Sequence, residues 1–264
     1  MRVAGHFGEW LQGLVEGEVA LVTLPCPALA AHVTRIAEGA ALSAPGVPNP
    51  QRLLRALGLP VEGRYEIRLD MPPGGGAGAS TAALVALARA AGARADPETL
   101  AAACLAAEGA VDPLMRPAPD TCLWAPRAAR ALRALPPPPP AEVVGGFLGR
   151  GERTDPGDRA FADMSGLIEP WIEACAAGDL PRCAALAAAS ATASAATRGP
   201  HRDPTRDLAR DLGALGWARA HTGSARALIF APGTAPRHAE AALAEAGYAA
   251  TLRFHPREQG RRAA

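Results

Sequence analysis

With 264 residues, the chain is long enough for one large domain or two small ones, and for a core that needs no disulfide or structural metal. A composition of 49% hydrophobic and 20% charged residues excludes a charged disordered chain, and a net charge of +1 gives no general attraction to nucleic acid or a membrane surface. All 27 basic residues are arginine, which excludes Schiff-base catalysis, a lysine general base and the lysine of a Walker A loop.

In chain order, the first ten residues carry Arg2, His6 and Glu9 and no apolar run, so no signal peptide is expected. Val19 to Thr23 reads as a short strand and Gln51 to Leu57 as a helix stopped by Gly58 and Pro60. Arg64 to Met71 alternates Tyr65, Ile67, Leu69 and Met71 with polar residues, the pattern of a half-buried strand. A glycine-rich turn follows, then a helix from Thr81 to Ala91 ended by Gly92. Asp96-Pro97-Glu98 opens a further helix to Glu108, with Asp96 as cap. Pro136 to Pro140 cannot lie inside a helix or central strand and reads as a stiff connector between parts 1–135 and 141–264. Beyond it, Glu142 to Leu148 is strand-like, Asp158 to Ala177 and Leu180 to Thr197 helical, and Thr205 to Leu215 a helix capped by Asp203 or Thr205. Ala225 to Ala231 is a strand, Pro236 to Ala246 a helix and Tyr248 to Phe254 a last strand. The irregular mixture predicts an α+β fold rather than a doubly wound sheet. With aromatics at 4%, the core is expected from Leu, Val and Ala. Cys26, Cys104, Cys122, Cys175 and Cys183 form no C-x-x-C and are read as reduced, buried thiols of a cytoplasmic protein, and Cys183 to Thr197 is too short and polar to span a bilayer.

The segment richest in chemical meaning is Pro73, Gly74, Gly75, Gly76, Ala77, Gly78, Ala79, Ser80 and Thr81, between a strand and a helix. Glycines let several N–H groups face one way, and a helix N-terminus adds a positive dipole end, so the segment suits a phosphate. Gly74, Gly76 and Ala79 also fit a dinucleotide fingerprint, but Asp96, at the distance expected for its acidic partner, opens a helix instead of closing a strand.

Pro73 to Ala82 resembles the phosphate loop of the GHMP kinase family. Gly5-His6-Phe7-Gly8-Glu9-Trp10-Leu11-Gln12-Gly13 is similar to that family's first motif, and Ala220-His221-Thr222-Gly223-Ser224-Ala225 to its third, in the right order. The Gly-Glu-x-x-Gln-Gly and Ala-His-Thr-Gly-Ser forms look like those of the bacterial L-threonine kinases, which make O-phospho-L-threonine for the aminopropanol arm of cobalamin. The resemblance implies a two-domain architecture, with a ribosomal-protein-S5-like N-terminal ATP-binding domain and a ferredoxin-like C-terminal domain. It implies ATP and Mg²⁺ as cofactors and a hydroxylated amino acid as the small-molecule partner, with neither nucleic acid nor membrane, and it allows a homodimer. It places ATP on Pro73 to Thr81, Mg²⁺ on Ser80 and Glu108, and substrate on Glu9, His221, Thr222, Gly223 and Ser224. Asp112 fits the catalytic Asp with an offset of one residue. Glu108 and Asp112 would share a helical face if the helix ran that far; otherwise they are a helix end and the start of an Asp-Pro loop. The chain departs from the threonine-kinase pattern at Ala83, where an Asp is usual, and at Ala227, where a glycine is. A kinase for another alcohol such as homoserine, or a silent nucleotide-binding protein on the same scaffold, are the alternatives. Arg198, Arg202 and Arg206 are candidates for a substrate carboxylate, or surface charges; His201 and Asp203 read as a turn and a cap; His32, His238 and His255 have no ligand spacing.

Overall fold

The computed structural model describes residues 1–151, 157–198 and 203–257. Strands β1 (Arg2–Val15) and β2 (Glu18–Ala41) form a long antiparallel hairpin through the turn Glu16-Gly17. The sequence shows only Val19 to Thr23 of this, because the glycines, His6, Glu9 and Gln12 of β1 break the alternation by which a half-buried strand is recognised. Helix α1 (Pro50–Ala56) leads to β3 (Glu62–Leu69), which pairs with β2. Helix α2 (Ala79–Ala90) follows the glycine-rich turn, and α3 (Pro97–Glu108) starts where the Asp96 side chain accepts the Thr99 N–H at 2.8 Å and stops at Gly109, which has φ 81°. A 3-10 turn (Pro119–Thr121) precedes β4 (Cys122–Ala125) and β5 (Arg130–Ala134), short strands with no clear sequence signal.

After the prolines come β6 (Glu142–Leu148), α4 (Ser165–Ala176), α5 (Leu180–Arg198), α6 (Thr205–Asp211), β7 (Gly216–Arg219), β8 (Ala225–Phe230), α7 (Ala239–Glu245) and β9 (Tyr248–Phe254). Three helices are shorter than expected, among them α7, expected from 236 to 246. Helix α4 starts at Ser165 rather than 158, since Asp163 Oδ1 accepts the Ser165 N–H and the Met164 N–H donates to Leu14 O, tying this segment to β1 instead. Helix α6 ends at Asp211, ahead of the turn at Gly213 and the strand β7.

The strands form one nine-stranded sheet in the order β5-β4-β2-β1-β7-β8-β6-β9, with β3 also on β2, and its ladders are antiparallel. Strands β1–β5 come from the first part of the chain and β6–β9 from the second; Glu9↔Arg219, between β1 and β7, joins them. The run Pro136–Pro140 carries the chain from the β5 edge to β6.

Alanine shapes the core as expected. Helix α2 is buried from Thr81 through Ala88, which only small side chains permit for a helix enclosed all round. The anchors are nevertheless aromatic: Trp10 meets Trp171 with ring centroids 5.6 Å apart, and Phe7 meets Phe147 at 5.0 Å and Phe254 at 5.6 Å, joining β1 to β6 and β9. The five thiols are buried and unbridged. Among the described residues no helix is long and apolar enough to cross a membrane.

A smaller core cluster lies beneath the third motif. There Arg226 Nε bonds Asp203 Oδ2 at 2.7 Å and Arg226 Nη1 donates to Gly223 O at 3.1 Å; Thr205 Oγ1 bonds Asp203 and lies 2.6 Å from the Tyr248 hydroxyl. Asp203 accepts the Thr205 N–H at 3.0 Å, as a cap beside Pro204 would. Tyr248→Phe removes one member of this network and leaves Thr205 bonded to Asp203. Its expected cost is about 1 kcal/mol, read as a lower denaturant midpoint at unchanged slope.

Candidate active site

The three glycine-containing motifs meet. The His6 N–H donates to Ala77 O and the Gly8 N–H to Gly76 O, both at 3.2 Å, so the first motif lies along one side of the loop. The Ser224 and Ala225 N–H groups both donate to Gly75 O, at 3.0 and 2.8 Å, so the third motif closes the other side. Glycine is required where they touch. At Gly76, φ is 74°, and a Cβ would sit 2.2 Å from Ala220 Cβ and 2.7 Å from Thr222 O. Gly78 caps α2 in the left-handed conformation with φ 69°, and a Cβ there would meet His6 Cδ2 at 2.5 Å. Helix α2 has no side-chain cap and no acidic residue in its first turn, so its opening N–H groups and positive dipole end face a cavity of about 660 Å³.

Pro73, Gly74, Gly76, Gly78, Ala79, Ser80 and Thr81 line that cavity. Gly75 and Ala77 do not: their carbonyls are taken up by the flanking motifs. Of the expected substrate residues, Glu9, His221 and Thr222 line it. Gly223 and Ser224 lie behind the loop, Gly223 so close that its Cβ would be 2.5 Å from Gly76 N. The Ser224 N–H bond holds the loop there, and neither residue lines the cavity that Glu9, His221 and Thr222 face.

Glu108 and Asp112 converge, but not on a helical face. Helix α3 ends at Glu108, and the Gly109 turn brings Asp112 back over the start of α2. Ser80 Oγ donates to Glu108 Oε2, and Thr81 Oγ1 donates to Glu108 Oε1 at 2.7 Å; the Asp112 N–H donates to Thr81 Oγ1 at 3.2 Å. Burial pushes the Glu108 carboxyl up to about 7, against the hydrogen bonds from Ser80 and Thr81. Ser80 and Glu108 offer an oxygen-only donor set beside the helix N-terminus, which fits a hard cation such as Mg²⁺.

His6 is the site residue that sequence reasoning passed over. Residues three apart on a regular strand face opposite ways, but β1 is irregular between His6 and Glu9, with Gly8 at φ 72°, and both side chains turn into the cavity. His6 Nε2 lies 3.2 Å from Asp112 Oδ2, and His6 Nδ1 lies 3.2 Å from Gly8 O and 3.4 Å from Glu9 Oε1. Both ring nitrogens face acceptors, the arrangement of an imidazolium. Burial opposes that charge, but Glu9 and Asp112 outweigh it and raise the pKa to about 9. His6, Glu9 and Asp112 have ligand atoms within 4.8 Å of one another, as a metal site would, yet a charged imidazolium has no lone pair for a metal.

On the opposite wall, the His221 ring stacks on Phe161 at 4.0 Å with a 2° interplanar angle, and His221 Nδ1 lies 3.1 Å from Gln12 Oε1. Burial and then the nearby Arg198 lower the His221 pKa to about 3, so the ring is neutral. Burial pushes Glu9 up to about 8, against the pull of His6. Glu9 Oε2 and His221 Nε2 are buried and have no hydrogen-bond partner among the described residues. Arg127, which no motif marked, lines the same cavity beside Phe161 and donates to Asp158 O. Arg198 pairs with Asp158, outside the cavity lining, and Arg206 is exposed on α6; Arg202 and His201 lie outside the described residues. His32 pairs with Asp70 at 2.8 Å, His255 with Ala141 O at 3.1 Å, and His238 is exposed.

No protein-family model and no curated protein sequence matches the chain. Solved structures do. The Leishmania major mevalonate kinase in complex with R-mevalonate is similar over 97% of this chain and 95% of that one, with a TM-score of 0.67 at 16% identity. The Streptococcus pneumoniae phosphomevalonate kinase is similar over 97% and 98%, with a TM-score of 0.68 at 10% identity. A homoserine kinase from Cytophaga hutchinsonii is similar over 97% and 93%, with a TM-score of 0.57 at 16% identity. The fold is that of the GHMP kinases, over nearly the whole chain.

Proposed function

We propose that this protein is an ATP-dependent kinase that transfers the γ-phosphoryl group to the hydroxyl of a small amino-acid alcohol, L-threonine first and homoserine as the alternative. In this reading residues 1–135 carry ATP, 141–264 complete the acceptor site, and O-phospho-L-threonine feeds the aminopropanol arm of cobalamin. One observation supports it most: a single cavity joins an uncapped helix N-terminus and the Ser80–Glu108–Asp112 cluster to two buried acceptors, Glu9 Oε2 and His221 Nε2, that await a donor. A ligand ammonium supplies such donors, and Arg127 on the same wall suits a carboxylate. The unbridged thiols fit a reducing compartment.

The main chain of Gly74 to Thr81 would hold the triphosphate. Ser80 and Glu108 would hold Mg²⁺, which when bound supplies charge neutralisation of the phosphates. Asp112 would orient the acceptor hydroxyl and take its proton as the acceptor O–P bond forms and the bond from the γ-phosphorus to the bridging oxygen breaks, leaving ADP. His6 would keep the Asp112 carboxylate oriented through the 3.2 Å contact. The test is ADP release by purified protein with ATP, Mg²⁺ and a panel of L-threonine, L-homoserine, L-serine and mevalonate. Turnover with the amino acids is expected, and ATP binding without turnover on any of them would favour a silent binding protein.

The Glu9 shift gives a pH dependence with a definite sign. Burial, against the pull of His6, raises the Glu9 pKa to about 8, so in the empty site Glu9 holds a proton more tightly than a free carboxyl does. A substrate ammonium favours the carboxylate, so binding must expel that proton. Affinity for the amino acid should therefore rise with pH and level off above about 8, falling up to about tenfold per unit below it. Calorimetry at pH 7 in two buffers of different ionisation enthalpy should show proton release on amino-acid binding; equal heats in both would contradict the role of Glu9.

A further inference from the structure

A second cavity, of about 570 Å³, shares no lining residue with the first. It backs onto the phosphate loop: its wall includes Gly5, where a Cβ would meet Ala77 O at 2.5 Å, and Leu114, whose Cδ1 lies 2.7 Å from where a Cβ of Gly78 would be. Among the described residues four arginines line it, Arg2, Arg89, Arg116 and Arg257, against one carboxylate, Asp120. That carboxylate is already committed. Asp120 is buried, and Arg257 forks onto it through Nε at 2.8 Å and Nη2 at 2.7 Å. Arg89 Nη2 donates to Met115 O at 3.3 Å and Arg2 to Pro27 O; Arg116 Nη1 reaches Glu98 at 2.7 Å, and Glu98 is not part of the lining. Each guanidinium has five N–H donors, so these bonds leave most of the donors of all four heads for a ligand. Five prolines also line the cavity and stiffen its walls, which limits the ordering cost of binding. Its volume is that of a metabolite pocket.

We propose that this cavity is a second anion site, separate from the phosphate loop, which takes a small compound bearing two or more negative charges through Arg2, Arg89, Arg116 and Arg257. Phosphate esters and polycarboxylates share that chemistry.

The test is calorimetry on the full chain, with pyrophosphate and citrate titrated separately while a non-hydrolysable ATP analogue saturates the phosphate loop. About one equivalent of at least one anion should still bind, and which of the two binds identifies phosphate or carboxylate as the ligand chemistry. Arg89→Gln with Arg116→Gln should weaken this binding at least about tenfold, whereas Arg52→Gln with Arg55→Gln, exposed positions on α1 that remove the same charge, should change it less than about twofold. Loss of all anion binding when the analogue is present, or equal losses in the two double variants, would overturn the proposal. Should the first double variant lose its cooperative melt, Arg2→Gln at an exposed position substitutes for it, and unchanged affinity there would overturn the proposal equally. If the analogue itself fails to bind, the kinase reading fails, while comparison of the two double variants still decides the second site.

Discussion

Asp112→Asn is expected to lower turnover by on the order of 10²–10⁴-fold while ATP binding stays within a small factor of the parent. The amide keeps the shape of the carboxylate, and the Asp112 N–H bond to Thr81 Oγ1 is main chain, so it survives. What is lost is the acceptor for the hydroxyl proton and the anionic partner of His6. The split between binding and turnover is the informative part. Parallel loss of ATP affinity and rate would mean that Asp112 merely shapes the α2 terminus, and the assay is ADP release beside equilibrium ATP binding. His6 offers a check on the same cluster, because His6→Gln keeps one hydrogen bond to Asp112 but removes the charge.

Gly76→Val is expected to carry a large structural penalty at the site. The left-handed φ of 74° costs a β-branched residue roughly 1–2 kcal/mol. The side chain also begins 2.2 Å from Ala220 Cβ and 2.7 Å from Thr222 O, so the third motif must move away from the loop, at a further cost of roughly 1–3 kcal/mol. Displacement of that motif breaks the Ser224 and Ala225 bonds to Gly75 O and moves His221 with them. ATP binding should disappear and the melting temperature should fall by several degrees. Gly17→Val is the control: it lies in an exposed turn with no atom within 4 Å of an added Cβ, so it tests backbone strain without a clash.

Local chemistry was legible wherever it rests on residues close in sequence. Tyr248 to Phe254 forms the last strand as expected, and Asp96 caps α3 as its Asp-Pro-Glu start requires. The glycine-rich turn before α2 follows from a short motif, and the meeting of Glu108 with Ser80, 28 positions apart, is what the family resemblance implied. The features missed depend on distant contacts. Strand β1 is held by β2 and β7 despite a pattern broken by bulges, and those same bulges turn His6 toward Asp112, 106 positions away. Arg127 belongs to no periodic segment and reaches the cavity only because the β4–β5 turn passes beside Phe161. The four arginines of the second cavity stand at positions 2, 89, 116 and 257, so nothing but the folded chain gathers them.

The account depends most on the loop Gly74 to Thr81 gripping a triphosphate by its main chain. A crystal structure with a non-hydrolysable ATP analogue and Mg²⁺ tests this directly. The account predicts phosphate oxygens within hydrogen-bond distance of the N–H groups at the start of α2, with the metal on Ser80 and Glu108. Phosphates bound elsewhere in the cavity, with that helix start bare, would contradict it.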